Sequence, residues 1–131
     1  MLFNHVFVGT NDIDRSRKFY DAIMEPLGLA NAASSDSVLM YRRGEQGFAV
    51  RAPRNGEAAT FANGGTIGFR ASGPDAVDAF HAAGLANGGT DDGAPGLRGA
   101  SFGQPYIAYL RDPDGNKICA MWKESWGTEG A

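Results

Sequence analysis

The sequence predicts an α+β fold built from one strand–helix–strand unit that is used twice. Short segments alternate apolar and polar residues with a period of two, and two stretches between them have helical apolar spacing. The whole pattern restarts after 61 residues, so that His5, Val6, Val8, Asp14 and Phe19 align with Thr66, Ile67, Phe69, Asp75 and Phe80. Glycine is abundant, with 19 of 131 residues, which favours a β-rich fold with many turns.

The first half contains a predicted strand, a helix and a pair of strands. Residues 2–9 alternate with a β-period, and Asn11 or Asp12 can cap the helix that follows. The helix, over residues 14–24, places Phe19, Tyr20, Ile23 and Met24 at helical spacing and ends before Pro26 and Gly28. Two strands are predicted at residues 38–41 and 48–50, with a polar turn between them. A polar connector follows at residues 53–65.

The second half repeats this order and ends in a hairpin. A strand at residues 66–70 precedes a helix that starts at residues 73–75, with Pro74 at an early helical position, and continues over residues 76–83. Gly84, Gly88 and Gly89 are its predicted stop signals. A glycine-rich stretch, residues 90–105, then leads into two alternating arms within residues 106–123. Between the arms, D-P-D-G-N has the composition of a tight turn, which accounts for Asp112 and Asp114 without a catalytic role.

Composition excludes several classes of protein. The net charge is -3 and no basic run exists, so we expect no nucleic-acid partner. One cysteine excludes an internal disulfide, and a reducing, cytoplasmic location is the simpler interpretation. The N-terminus has no basic segment followed by an apolar one, and no stretch is long enough for a membrane span, so neither a signal peptide nor a membrane partner is expected.

Three motifs, V-F-V-G-T-N-D-I-D-R-S-R-K-F-Y-D, A-V-D-A-F-H-A-A-G and D-P-D-G-N-K-I, resemble the vicinal oxygen chelate superfamily over essentially the whole chain. This superfamily contains glyoxalase I, bleomycin-resistance proteins and extradiol dioxygenases. The resemblance implies a single domain, residues 1–131, with βαβββ modules at about residues 1–55 and 65–124 and a connector at about 56–64. It further implies a partly open mixed sheet around a cavity, helices on the convex side, and a homodimer.

Strand parity then assigns a face to each side chain. Nine residues should pack under the helices: Val6, Val8, Phe48, Val50, Ile67, Phe69, Ile118, Ala120 and Trp122. The opposite, cavity face should present His5, Phe7, Ala49, Arg51, Thr66, Gly68, Arg70, Tyr109, Cys119 and Met121. From this face we predict a ligand-binding set of His5, Phe7, Arg51, Thr66, Arg70, Tyr109, Cys119 and Met121.

The resemblance also implies four positions for the ligands of a divalent metal, and these are occupied by His5, Ala49, Thr66 and Cys119. His5 is the only family-type ligand retained, because Ala49 has no donor atom and a neutral Thr hydroxyl is a poor ligand for a hard cation. Relatives usually have Glu where this chain has Cys119. We therefore expect no metal cofactor, and the open alternative is zinc bound by His5 and Cys119 with help from Thr66 or water.

Other polar side chains have two interpretations each. Cys119 is either a packed, inert thiol or a nucleophile whose pKa is lowered by His5 or a nearby arginine. Arg51 and Arg70 either bind a carboxylate or phosphate in the cavity, with Tyr109 as a stacking surface, or end their strands in solvent. On the second helix, His81 should be solvated. The glycine-rich segments match no phosphate-binding loop. Trp122 and Trp126 are expected to be a core and a surface anchor, or part of a dimer contact.

Two functions from different classes follow. The first is a small-molecule binding protein with a degenerate metal site, whose cavity holds an anionic or aromatic ligand without metal. The second is a divergent lyase, isomerase or dioxygenase-like enzyme of the glyoxalase type, with His5 as base or ligand and Cys119 as its partner. The resemblance to enzymes does not decide between them, because one fold supports many activities. Whether residues 90–105 form a lid over the cavity is also left open.

Overall fold

Two helices pack on one side of two mixed sheets in the computed structural model, which describes residues 2–29, 31, 34–99 and 103–127. The elements are β1 (His5–Gly9), α1 (Ile13–Met24), β2 (Val38–Arg43), β3 (Gln46–Arg51), β4 (Ile67–Arg70), α2 (Pro74–Ala86), β5 (Thr90–Leu97), β6 (Tyr106–Arg111), β7 (Lys117–Trp122) and a 3-10 helix (Glu124–Trp126). The sheets have the strand orders β1-β3-β2 and β4-β7-β6-β5. This arrangement confirms the predicted α+β class.

The two halves share their strand pairing. β1 runs parallel to β3 and pairs Val6 with Phe48, and β4 runs parallel to β7 and pairs Ile67 with Ile118. A backbone hydrogen bond just beyond each parallel pair of strands is also repeated. The amide of Thr10 donates to the carbonyl of Arg51, and the amide of Ala71 donates to the carbonyl of Met121. In the first half the described residues form three strands, and a single antiparallel bridge joins Asn31 to Tyr41 at the free edge of β2.

Each half also donates a side-chain hydrogen bond to the other at an equivalent place. Asn116 Nδ2 donates to the carbonyl of Gly9, which ends β1, at 3.2 Å. Arg43 Nη1 donates to the carbonyl of Arg70, which ends β4, also at 3.2 Å. Because Gly9 and Arg70 are the same position of the repeat, the two modules are joined by a pair of related contacts.

Local signals explain most helix boundaries. Asp12 caps α1 by accepting a hydrogen bond from the amide of Arg15, and α2 begins with Pro74 in its first turn, as predicted. The predicted end of the second helix was wrong, because α2 continues through Gly84 to Ala86. Gly84 is needed there for packing rather than as a stop signal: a Cβ at this position would lie 2.3 Å from Leu110 Cδ1.

The glycine-rich stretch contains a strand that the sequence did not delimit. β5 pairs antiparallel with β6 at the edge of the larger sheet, and its register shifts twice, between Asp91 and Gly93 and between Gly93 and Gly96. Such irregularities hide the alternation by which a strand is detected. Residues 90–97 are therefore part of the sheet, while residues 100–102 of the suggested lid lie outside the described residues.

The hydrophobic core lies between the helices and the sheets. All nine residues predicted to pack under the helices belong to it or pack against it, which confirms the parity of the strands. From α1, Phe19, Tyr20, Ile23 and Met24 are fully buried. In the described part of the chain, no helix has both the length and the apolar character to cross a membrane.

The D-P-D-G-N turn is more than a link between β6 and β7. Asp112 is buried and accepts hydrogen bonds from the amides of Asp114 and Asn116, which confirms its predicted role in the turn. Its second oxygen accepts from Tyr20 Oη at 2.6 Å and from Asn116 Nδ2 at 2.8 Å. The turn therefore docks on the buried face of α1.

Phe61 of the connector covers the same turn. Gly115 has a φ of 92°, and a Cβ there would lie 2.6 Å from the Phe61 ring. Both the backbone conformation and the packing therefore require glycine.

Candidate functional site

The residues predicted for a single cavity are divided between two cavities and positions that line neither cavity. His5 and Thr66 line a cavity of about 270 Å³ to which both modules contribute, here called the inter-module cavity. Phe7 and Arg51 line a wider and more open cavity of about 810 Å³, here called the connector cavity. The two are adjacent along β1, where the His5 and Phe7 rings meet edge to face with centroids 5.6 Å apart.

The inter-module cavity has apolar walls with polar groups at its margin. Apolar and aromatic side chains from both modules line it: Val6, Leu29, Tyr41, Phe48, Ile67 and Phe69. Four of these, Val6, Phe48, Ile67 and Phe69, were predicted to face the helices and not a cavity, but they belong to the core or pack against it and also line this cavity. Polar side chains also border it, namely Asn4, His5, Arg43, Gln46 and Thr66. Apolar walls with a few polar groups are the usual composition of a site for a small organic molecule.

His5 is exposed and its ring is oriented by its neighbour. Nδ1 lies 2.8 Å from Asn4 Oδ1, and Asn4 Nδ2 donates to the carbonyl of Glu45 at 3.4 Å. Because an amide oxygen only accepts, this arrangement places the proton of a neutral His5 on Nδ1. Nε2 then carries the lone pair, which can accept a proton or bind a ligand.

Arg43, which was not among the predicted site residues, supplies the guanidinium of the inter-module cavity. Its Nη2 donates to the carbonyl of Leu27 at 2.6 Å, and its Nη1 to that of Arg70. Burial lowers the pKa of Arg43, and the positive charge of Arg70 lowers it further. Arg43 is the last residue of β2, and no feature of the sequence indicates that Arg43, and not its exposed neighbour Arg42, lines the cavity.

The connector cavity is bounded by the segment between β3 and β4. Besides Phe7 and Arg51, its lining includes Arg54 and Glu57, and the Phe7 side chain is exposed. Asn11 holds this segment in place, because its side chain exchanges two hydrogen bonds with the backbone of Ala59, at 2.7 and 3.1 Å. The connector is thus positioned by a residue of the loop between β1 and α1.

The remaining predicted ligand-binding residues line neither of these two cavities. Arg70 is exposed, and its guanidinium carbon lies 4.2 Å from the centre of a Trp126 ring. Tyr109 is approached by Lys117 Nζ at 4.9 Å and by Arg98 at 5.8 Å from its ring centre. Met121 is partly buried opposite Ile107. Cys119 is buried, and a Cβ at Gly68 would lie 3.2 Å from its sulfur.

The four family positions do not form a set of metal ligands. Ala49 is buried and has no donor, and burial raises the pKa of the Cys119 thiol to about 11, which disfavours the thiolate that binds metals. Among the residues that the structure describes, no three His, Cys, Asp or Glu side chains are placed to share an ion. The residues present therefore do not fit the divalent metal that the fold implies.

The expectation that His81 is solvated was wrong. His81 is buried on α2, and its Nε2 lies 2.8 Å from Asp91 Oδ1 on β5. The hydrogen bond from His81, with one from the amide of Gly93, lowers the pKa of Asp91. This partner could not be found from sequence, because β5 itself was not recognised.

Comparison with known proteins agrees with this architecture. Residues 2–120 match the model of the Glyoxalase/Bleomycin resistance protein/Dioxygenase superfamily. The chain belongs to this superfamily. Within it, a glyoxalase/bleomycin resistance protein from Albidiferax ferrireducens T118 is 50% identical in sequence and superposes with a TM-score of 0.88. That match covers 92% of this chain and 98% of the other.

Solved structures of lower sequence identity share the fold alone. A glyoxalase-related enzyme from Fulvimarina pelagi is 17% identical, with a TM-score of 0.77 and coverage of 100% of this chain and 96% of its own. Lactoylglutathione lyase from Agrobacterium tumefaciens is 18% identical, with a TM-score of 0.64 and coverage of 95% and 96%. No protein of curated function matches the chain.

Proposed function

We propose that this superfamily member binds a small anionic or aromatic molecule in the inter-module cavity without using a metal ion. One observation carries the proposal. Of the four positions at which relatives hold a metal, only His5 offers a ready ligand, yet His5 and Thr66 border a cavity with aromatic walls and a guanidinium. Such a cavity suits recognition of an organic ligand better than Lewis-acid chemistry.

Metal analysis of the purified protein tests the metal-free part of the proposal. The protein is expressed with added zinc, manganese, iron or nickel, and its metal content is measured by mass spectrometry. We expect far less than one ion per chain, with no change in His5→Ala. His81→Ala is the matched control, because His81 is the other histidine of the chain and lies outside the cavity. A full equivalent of metal that His5→Ala loses and His81→Ala keeps would contradict the proposal.

Ligand binding is tested by thermal shift with small carboxylates, phosphates and aromatic compounds. We expect at least one class to raise the unfolding temperature in a concentration-dependent way, as a ligand of the folded state must. The variants Arg51→Gln and Arg70→Gln test whether these two predicted residues contribute to the shift in unfolding temperature. A shift that both variants retain removes them from the site, and the absence of a shift with every class contradicts small-molecule binding.

A second function, catalysis by His5, is favoured by the orientation of its ring. The contact with Asn4 directs the free Nε2 lone pair away from Asn4, as a general base requires. Formation and breakdown of lactoylglutathione, with and without added divalent metals, is the assay suggested by the lyase from Agrobacterium tumefaciens. Turnover that His5→Ala abolishes would favour the enzyme over the binding protein.

The assembly and cellular location of the protein are further parts of the proposal. We expect a homodimer in the cytoplasm, and exposed Phe7 and Leu97 offer apolar surface for a contact between copies. Sedimentation equilibrium at several protein concentrations tests the dimer, and a monomer throughout would contradict it. Fractionation of the cells that express the protein tests the location.

A further inference from the structure

The guanidinium of Arg43 lies at the inter-module cavity without an acidic partner. In residues 2–29, 31, 34–99 and 103–127, the ion pairs of arginine and lysine join Arg15 to Asp114 and both Arg111 and Lys117 to Asp92. None includes Arg43 or Arg70, although their charges are close enough to lower the pKa of Arg43. A half-buried positive charge beside a second one is unfavourable unless an anion compensates it.

The position of the Arg43 side chain is fixed by neutral groups. The carbonyls of Leu27 and Arg70 each accept one hydrogen bond, at 2.6 and 3.2 Å, from different terminal nitrogens of the guanidinium. A guanidinium has five N–H donors, so others remain for a ligand. These two anchors keep the planar group in place before a ligand arrives, which reduces the entropy lost on binding.

The rest of the cavity selects for an apolar body. Phe48 and Phe69 pack edge to face with centroids 5.0 Å apart, and Val6, Leu29 and Ile67 complete the wall. The hydroxyl of Tyr41 is already engaged, because it donates to Asp21 at 2.6 Å. Tyr41 therefore offers no free hydroxyl to a ligand, and the volume of about 270 Å³ restricts the ligand to a small molecule.

We propose that the ligand of the inter-module cavity is a small apolar carboxylic acid, whose carboxylate binds Arg43 and whose body contacts the aromatic wall. This inference rests on the proposed function and specifies the ligand class and the residue that recognises it. A planar guanidinium and a carboxylate match in geometry, and charge-assisted hydrogen bonds between them are about twice as strong as neutral ones. Neutral molecules of the same shape should bind less well, because they leave the charge uncompensated.

The test uses benzoate and benzamide, which have nearly the same shape and differ in charge, together with acetate, which lacks the ring. Binding is measured by calorimetry on the wild-type protein and on Arg43→Gln. Arg42→Gln is the matched control on the same strand, since Arg42 is exposed and lines neither cavity. Arg51→Gln is the control for the connector cavity.

We expect benzoate to bind more tightly than both benzamide and acetate. Arg43→Gln should weaken benzoate binding about ten- to hundredfold, as expected for the loss of hydrogen bonds to a charged group, and leave benzamide nearly unchanged. Arg42→Gln and Arg51→Gln should bind benzoate like the wild type. Equal binding of benzoate and benzamide, or a loss in Arg51→Gln instead of Arg43→Gln, would overturn the inference while leaving small-molecule binding intact.

A second measurement keeps the test decisive if Arg43→Gln is unstable, since that change also removes the bonds to Leu27 and Arg70. Methyl resonances of the wild-type protein are followed during titration with benzoate. We expect shifts at Val6, Leu29 and Ile67, which line the inter-module cavity, and little change at Val8 and Ala59 of the connector cavity. Shifts confined to Val8 and Ala59 would refute the assignment. No response to benzoate refutes the carboxylate class, and failure of the thermal-shift screen with every class would refute the proposed function itself.

Discussion

At the scale of single residues, the environment of Cys119 bears on the two interpretations of its thiol. Burial raises its pKa to about 11, and the nearby charge of Lys117 opposes this effect without overcoming it. Nucleophilic cysteines have a lowered pKa and some exposure, whereas buried structural ones are inert. The fold therefore favours the packed, unreactive thiol.

Alkylation kinetics test this reading of Cys119. With iodoacetamide at pH 8, the folded protein should react about a hundredfold more slowly than the same chain in concentrated urea, because far less thiolate is present. The denatured chain serves as the control, since its only cysteine is then solvated. Equal rates in the two states would restore Cys119 as a candidate nucleophile.

Asp112 is a second buried group whose state depends on named neighbours. Burial raises the pKa of this carboxyl, while hydrogen bonds from Tyr20 and Asn116 lower it and offset part of the effect. The Tyr20 hydroxyl is equally buried and donates at 2.6 Å. The hydrogen bonds from Tyr20 and Asn116 thus compensate for the burial of the Asp112 carboxylate.

Tyr20→Phe should lower the free energy of unfolding by about 1–3 kcal/mol at pH 7. Losing the hydroxyl raises the folded-state pKa of Asp112 further above its unfolded value. A carboxyl whose pKa is higher in the folded than in the unfolded state destabilises the folded protein only while it is ionised. This destabilisation therefore disappears as the pH falls through the folded-state pKa. The difference from wild type should therefore shrink as urea unfolding is repeated at steps between pH 7 and pH 4.

Tyr41→Phe is the matched control for this pH dependence. Its hydroxyl also donates to a carboxylate at 2.6 Å, but that carboxylate, Asp21, is exposed. The control should show a smaller loss that varies little with pH. A constant loss in Tyr20→Phe across the same range would show that Asp112 does not carry the effect.

At the scale of secondary-structure elements, the junction between α2 and β5 is packed around Gly89. A Cβ at this position would lie 2.4 Å from Phe19 Cε1 on α1, and 3.0 and 3.1 Å from the carbonyl oxygens of Gly84 and Arg111. Backbone oxygens cannot move aside as a flexible side chain does. The absence of a side chain therefore lets α1, α2 and the second sheet meet.

Gly89→Ala should destabilise the protein by about 1–3 kcal/mol, the usual effect of overpacking a filled interior. Chemical denaturation measures the change. Gly96→Ala is the control, because the nearest atom to the new Cβ is Arg98 Nη1, at 3.3 Å, which is the far end of a long side chain and not a backbone atom. If both variants were equally stable, close packing at Gly89 would not be what excludes a side chain there.

At the scale of the whole molecule, Asp114 joins the second module to the first. Its side chain is only 2% exposed and accepts hydrogen bonds from the amide of Asn11 at 2.9 Å, Arg15 Nη2 at 2.8 Å and Ser16 Oγ at 3.2 Å. All three donors lie at the start of α1 or just before it, where a negative charge also interacts favourably with the helix dipole. One carboxylate thus holds the two halves in register.

Asp114→Ala should lower the free energy of unfolding by about 2–3 kcal/mol, because it removes three hydrogen bonds to a carboxylate that is almost fully buried. Asp92→Ala removes a carboxylate that pairs with Arg111 and Lys117 inside one module, at a side chain that is 32% exposed. This control should lose less than about 1 kcal/mol. The free energy of unfolding is measured by urea denaturation. A similar decrease in both variants would show that the contact between modules stabilises the protein no more than a contact within one module.

Part of this architecture was predictable from the chain. The alternation of Val6 and Val8, or of Ile118 and Ala120, is set by local backbone geometry, and the structure buries these residues as expected. The Asp12 cap of α1 and the proline in the first turn of α2, Pro74, are equally local signals. β5 was missed because its bulges break the alternation, and the second helix was ended too early because Gly84 was interpreted without its partner Leu110.

The sequence by itself determined the class of fold, the repeat and the face on which each strand residue lies, and it shows residues other than family-type metal ligands at three of the four positions that the resemblance implies. These properties depend on residue identity and on contacts between near neighbours. Only the tertiary structure decided that His5 and Thr66 share a cavity, that helix-facing residues such as Phe48 and Phe69 line it together with Arg43, and that His81 is buried beside Asp91. Those outcomes depend on how the modules and the edge strand dock, and docking brings together groups that no local pattern relates.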